Sequence, residues 1–169
     1  MSLESLFLEA AVKKLRHSTD RIAVCIGKLT DDQVWARGRE NENAVGNLVL
    51  HLCGNVRQWI IANLGGQPDV RVRDREFATT GEITAVELTA LLRGTVDEAV
   101  AVIEGLTTEQ LTQTLVIQGL TVSGLGAVFH VVNHFSEHTG QIIFATKSLT
   151  GHDLGLWAPR SAGSRPTTA

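Results

Sequence analysis

His130, His134 and His138 recur every fourth residue in the run SGLGAVFHVVNHFSEHTGQIIFATK, residues 123–147. Four residues advance an α-helix by slightly more than one turn, so imidazoles at this spacing form a stripe along one helix face. A pair at i and i+4 is also the spacing at which two histidines of one helix hold a single metal ion, as in the H-E-x-x-H pattern. The chain has six histidines, and half of them sit here. That concentration turns a helical sequence into a metal-site expectation.

The rest of the chain reads as helices with marked ends. Leu3, Leu6, Phe7, Ala10, Leu15, Ile22 and Ile26 follow helical spacing, which predicts a first helix from about Ser2 to Ile26, stopped by Gly27. Thr30 with Gln33 is a capping-box pattern opening a short helix in LTDDQVWAR. A second long helix is expected from about Asn43 to Leu64, closed by Gly65 and Gly66. Its interior, VGNLVLHLCGNVRQWII, is apolar on more than one face, which places it centrally.

The polar stretch GGQPDVRVRDREFATTG, residues 65–81, is long for a link between helices and permits the next helix to cross the bundle. Arg71, Arg73 and Arg75, interrupted by Asp69, Asp74 and Glu76, read there as a solvated loop. Thr84 with Glu87 is a second capping box, opening a third helix that runs to about Glu104. TLVIQGLTV, residues 114–122, is β-branched and reads as a short hairpin or bent loop. Ser123 then caps the histidine-bearing fourth helix, which is expected to end near Lys147. The fold class is therefore all-α, a four-helix bundle over residues 1–150 with a long connection between helices two and three. Residues 151–169 form a tail rich in Gly, Ser, Pro and Thr, expected to be mobile at its end, with Trp157 able to dock on the bundle. A short echo, LTDDQV at 29–34 against LTTEQL at 106–111, aligns His51 and Asn55 with His130 and His134.

Composition narrows the function classes. A length of 169 residues suits one domain with its own core. A net charge of −3 carries no electrostatic footprint for nucleic acid. No apolar run approaches the roughly 18 residues that span a bilayer, and the acidic, periodic N-terminus is unlike a signal peptide. Cys25 and Cys53 lie within apolar helical runs and read as reduced core residues. A cytoplasmic protein is expected.

Three neutral imidazoles leave the full charge of a divalent ion at the site and an open position for water or sulfur. The fourth helix supplies two of them, and spacing does not choose between His130/His134 and His134/His138. His51 is the other histidine in a strongly apolar helical interior, where it could equally be a buried residue hydrogen-bonded to Asn47 or Asn55. His17 and His152 read as surface residues. Asn55 and Asn133 are candidates for orienting an imidazole, Arg57 and Trp59 for lining a cleft, with Trp59 read chiefly as core. Glu137, the one carboxylate in the stretch, points about 100° away from His138 and is read as surface.

The motif G46-N-L-V-L-H51 with H134-F-S-E-H138-T-G-Q141 resembles the DinB-like superfamily of bacterial four-helix-bundle proteins, which carry one histidine on the second helix and an H-x-x-x-H pair on the fourth. R73-D-R-E-F77 and the ending H-T-G-Q-I-I-F-A-T-K are similar to an uncharacterised bacterial subgroup. The resemblance implies His51, His134 and His138 as metal ligands, with His130 as a neighbour one turn earlier. Many relatives have arginine directly after the last histidine, whereas this chain has Thr139. It further implies a zinc or nickel ion and either a thiol S-transferase acting on small electrophiles, with a low-molecular-weight thiol as cosubstrate, or a protein that binds metal without a known substrate. A metal-dependent hydrolase and a non-catalytic, metal-stabilised stress-response bundle are the alternatives. Expected partners are a small-molecule substrate and, through helix faces, a second copy of the chain; nucleic acid and membrane are not expected.

Overall fold

The computed structural model describes residues 2–39 and 41–157. Four long helices carry the core: α1 (Leu3–Ile26), α3 (Val45–Val56), α5 (Ala85–Glu104) and α7 (Gly124–Thr150). Between them lie three short ones, α2 (Asp31–Val34), α4 (Arg73–Ala78) and α6 (Thr108–Thr112), and an antiparallel hairpin of β1 (Thr114–Ile117) and β2 (Leu120–Ser123). The chain is all-α in class, as its periodicity predicts.

Local chemistry sets these boundaries. Ser2, Thr30, Thr84, Thr107 and Ser123 each accept a hydrogen bond from a backbone N–H in the first turn of their helix. At Thr30, Thr84 and Thr107 the side chain three residues on returns the bond, closing a capping box. The echoed LTDDQV and LTTEQL segments are thus two copies of one device, and α6 is a helix that periodicity had not marked. Helix α7 ends at Gly151 with φ of 68°, a left-handed position that glycine takes at no steric cost. Residues 114–122 do form a hairpin, turned by Gln118 and Gly119 at positive φ.

Each long helix packs principally on two others, α1 on α5 and α7, and α3 on α5 and α7. All of α3 is buried except Leu50 and Gly54, which are half-buried, so it occupies the central place its composition predicts. Beyond Val56 it continues as a π-helical turn, Arg57–Ala62, marked by bonds such as Gly65 N–H to the Ile60 carbonyl at 2.8 Å. The wider turn brings four consecutive residues, Trp59 to Ala62, into the core. Cys25 and Cys53 are buried free thiols, and burial pushes Cys53 up to about 12, consistent with inert core residues.

The long connection departs from expectation. Most of its residues are exposed, Arg73 and Arg75 among them, but it folds over α3 as a strap containing α4, with Glu76 buried and Arg71 half-buried. Asn47 of α3 makes all four of its side-chain bonds: it donates to the carbonyls of Glu76 and Thr79 and accepts from Arg37 and the Ala44 N–H. Arg37 also donates to the Phe77 carbonyl at 2.6 Å, and Trp35 Nε1 to that of Ile83 at 2.8 Å. Gly46 makes room for Trp35, whose ring a Cβ there would meet at 2.7 Å.

The start of the tail is also more ordered than its composition suggests. Leu154 is buried in the core, and Trp157, though largely exposed, lies under Arg21 and Lys147 with their charges 4.6 and 5.1 Å from its ring. The expected mobile end, 158–169, lies outside the described residues. Among the described residues no helix is long and apolar enough to cross a membrane.

Candidate metal centre

The α7 register turns His134 and His138 toward α3, where His51 projects from the central helix. Donor nitrogens of the three rings lie within 4.8 Å of one another. His51 Nε2 is 3.0 Å from His134 Nε2, and the His134 and His138 ring centroids are 4.4 Å apart. Four-coordinate binding at zinc–nitrogen distances of about 2.0–2.1 Å puts neighbouring donors roughly 3.3 Å apart, so the cluster needs little movement to close on an ion.

Hydrogen bonds on the far side of two rings fix which nitrogen faces inward. His138 Nδ1 donates to Gln141 Oε1 at 2.6 Å, leaving the Nε2 lone pair free for an ion. His51 Nδ1 lies 2.9 Å from Glu76 Oε2 and 3.2 Å from Arg71 Nη2. A guanidinium has no acceptor, so the Nδ1 proton goes to the carboxylate and the His51 Nε2 lone pair faces His134. Arg71 clamps that carboxylate with both arms, Nε to Oε1 at 2.7 Å and Nη2 to Oε2 at 2.9 Å. The Arg71 and Glu76 side chains are only 4% and 9% exposed, so this ion pair is internal. Gly54 permits it, because a Cβ there would overlap the Glu76 carboxylate.

The electrostatics suit neutral ligands. Burial, reinforced by His138, His51, His130 and Arg71, pushes His134 down to about 3, so its ring is uncharged at neutral pH. Burial likewise lowers His138, partly opposed by its bond to Gln141. Burial works against a charged Glu76, but its bonds with Arg71 and His51 outweigh that and hold the carboxyl below its usual value. A carboxylate hydrogen-bonded behind an imidazole is the support that metal-binding histidines commonly have.

The other expected residues fall outside this cluster. His130 stacks on Trp59 with centroids 3.9 Å apart and faces Asn55, one turn before His134. Asn55 therefore does not orient His51, and neither does Asn47, which anchors the strap. Asn133 donates to Glu137 instead of to an imidazole, and Glu137 is exposed. Trp59 is core, while Arg57 does line a cleft. Thr139 is buried and donates to the Phe135 carbonyl, so its position faces the bundle interior and not the histidines. His17 and His152 are exposed. Reading the arginine-rich link as solvated missed Arg71 and Glu76. The available signal was one apolar residue, Phe77, following the charged run; its ring lies 5.0 Å from that of His51. Gln141 was legible in the histidine motif but had no role until the His138 bond was seen.

The fold is that of DinB-like proteins, and its histidine cluster is a group that could hold a metal ion. The solved structure of a DinB-like protein of Bacillus subtilis, YjoA, matches with a TM-score of 0.65 at 19% identity, covering 85% of this chain and 93% of that one. A conserved protein of Enterococcus faecalis matches with a TM-score of 0.72 at 14% identity, covering 90% and 99%. At these identities the likeness is one of fold. No curated protein matches the chain. The chain belongs to the DinB-like family DUF1572, described as a protein of unknown function, which matches residues 2–160.

Proposed function

We propose that His51, His134 and His138 hold a divalent metal ion, zinc or nickel, and that the protein is a metal-dependent thiol S-transferase acting on small electrophiles. The observation that carries the reading is the convergence of donor nitrogens from α3 and α7, two of them with their other ring nitrogen committed to an acceptor. The bound ion supplies positive charge that favours the thiolate form of a thiol cosubstrate. Glu76 and Gln141 hold the His51 and His138 rings in the binding tautomer. Phe77 shields one flank of His51.

Transfer is favoured over hydrolysis by what the carboxylates near the cluster are doing. Glu76 is committed to Arg71 and His51, and Glu137 is exposed and bonded to Asn133, which leaves neither placed as a general base. With an ion bound, a thiol cosubstrate would release its proton to solvent and would need no such base.

Elemental analysis of the purified protein tests the site: about one ion per chain is expected, and H134A is expected to lose it. Equal metal content in H134A and parent would remove His134 from the ligand set. Thiol consumption against a panel of electrophiles tests the activity. Turnover that requires added thiol supports transfer, and turnover in water alone replaces it with hydrolysis.

A further inference from the structure

The Arg71 side chain is 4% exposed, deeper than the connection around it, so its guanidinium must find acceptors inside the protein. Nε and Nη2 take the Glu76 carboxylate, at 2.7 and 2.9 Å. Nη1 donates to Gln58 Oε1 at 3.0 Å. Gln58 stands on the π-helical turn that extends α3, a form of turn often found at functional sites. Its amide has one consistent orientation, because a guanidinium only donates and the Asp69 carboxylate, which takes Gln58 Nε2 at 2.8 Å, only accepts. Asp69 also accepts the Arg71 backbone N–H at 3.1 Å, so Gln58 and Asp69 hold Arg71 at both its ends.

A second residue reaches the same Gln58 oxygen from the hairpin. Gln118 Nε2 donates to it across 60 residues of sequence. Among the described residues Gln118 is the one non-glycine position with positive φ, at 54°, in the two-residue turn between β1 and β2. Asn and Gly are the usual residues there, so a glutamine carries a backbone cost that its side-chain bond offsets. Hydrogen bonds thus run without a break from the hairpin tip through Gln58, Arg71 and Glu76 to His51.

We propose that Gln58 and Gln118 are positioning residues of the histidine cluster. By fixing Arg71 they hold Glu76 on His51 Nδ1, which keeps the ring proton there and the Nε2 lone pair turned to His134. The inference rests on the metal-site reading only in treating Nε2 as a ligand atom, since the tautomer belongs to the metal-free chain.

Two measurements test it. In metal-free protein at about pH 9, where an ordinary imidazole is neutral, the nitrogen NMR shifts of the His51 ring report where its proton sits. The parent is expected to carry it on Nδ1, and Q58L to move part of the population to Nε2. In chelator competition Q58L is expected to weaken zinc binding about tenfold and Q118G about threefold, the scale of single hydrogen bonds. Glycine suits the backbone at 118, which offsets the lost side-chain bond, so Q118G is expected to melt as the parent does while binding zinc more weakly. A His51 tautomer unchanged by Q58L, Q118G binding zinc as the parent does, or Q118G losing affinity only in step with its melting temperature would overturn the proposal. If the parent itself binds neither zinc nor nickel, the metal reading fails and the tautomer shift alone decides this one.

Discussion

Glu76 is the residue through which the link reaches the histidines. It accepts the Nδ1 proton of His51 and is itself held in a two-point clamp, so E76Q keeps the shape while removing the charge. Supports of this kind affect metal affinity by about 10- to 100-fold. E76Q is therefore expected to weaken zinc binding by that range in a chelator-competition titration. An affinity equal to the parent's would show that the carboxylate does not tune the site. E76Q is also expected to lower the melting temperature, because Arg71 keeps a buried charge without its counterion.

Acid sensitivity belongs to the residue scale as well. Unfolded His134 takes up a proton near its ordinary value of 6.5, whereas the folded ring resists protonation down to about 3. The unfolded state thus binds more protons between these values, and stability falls as pH drops through that window. Glu76, held below its ordinary 4.5, adds a further loss at the acid end. Denaturant melts of metal-free parent and H134Q between pH 7 and 4 separate the first contribution: the parent is expected to lose stability more steeply. Parallel curves would mean that the folded protein protonates His134 as readily as the unfolded chain does.

At the scale of elements, the strap depends on a close approach to α3. Gly54 lies under the Glu76 carboxylate, and Gly46 under the Trp35 ring. G54A is expected to push α4 and Glu76 away from the helix, costing about 1–3 kcal/mol and weakening metal binding together with stability. Urea melts and zinc titration of the same variant check both, and a variant that melts and binds like the parent would show that the strap is not seated there. The capping boxes show the opposite case. Thr30–Gln33, Thr84–Glu87 and the α6 box at Thr107–Gln110 involve residues three apart, so their bonds follow from local spacing. The strap could not be read in that way, because its contacts are made with residues far along the chain. Arg71, Arg73 and Arg75 look alike in sequence, and only Arg71 meets a buried carboxylate.

At the scale of the whole molecule, the centre ties α3 to α7, so an ion there should stabilise the folded chain. Zinc at 100 times its Kd contributes about 2.7 kcal/mol. For a domain of this size that corresponds to a rise in melting temperature of roughly 5–10 °C, reversed by chelator. No shift on adding zinc or nickel would mean that the cluster does not bind those ions. His51 and His134 are 83 residues apart in sequence and 3.0 Å apart at their Nε2 atoms, and His51 and Glu76 are 25 apart and 2.9 Å. By itself the sequence determined the four long helices, the caps at Thr30, Thr84 and Ser123 and the fact that His134 and His138 share a face, because helix pitch and first-turn hydrogen bonds act over three or four residues. The resemblance in its motifs pointed to His51. The tertiary structure alone decided that these rings meet, that Glu76 and not Asn47 or Asn55 supports His51, and that His130 stacks on Trp59 instead of joining the cluster, because those outcomes depend on how separate helices and the strap pack, which no local spacing encodes.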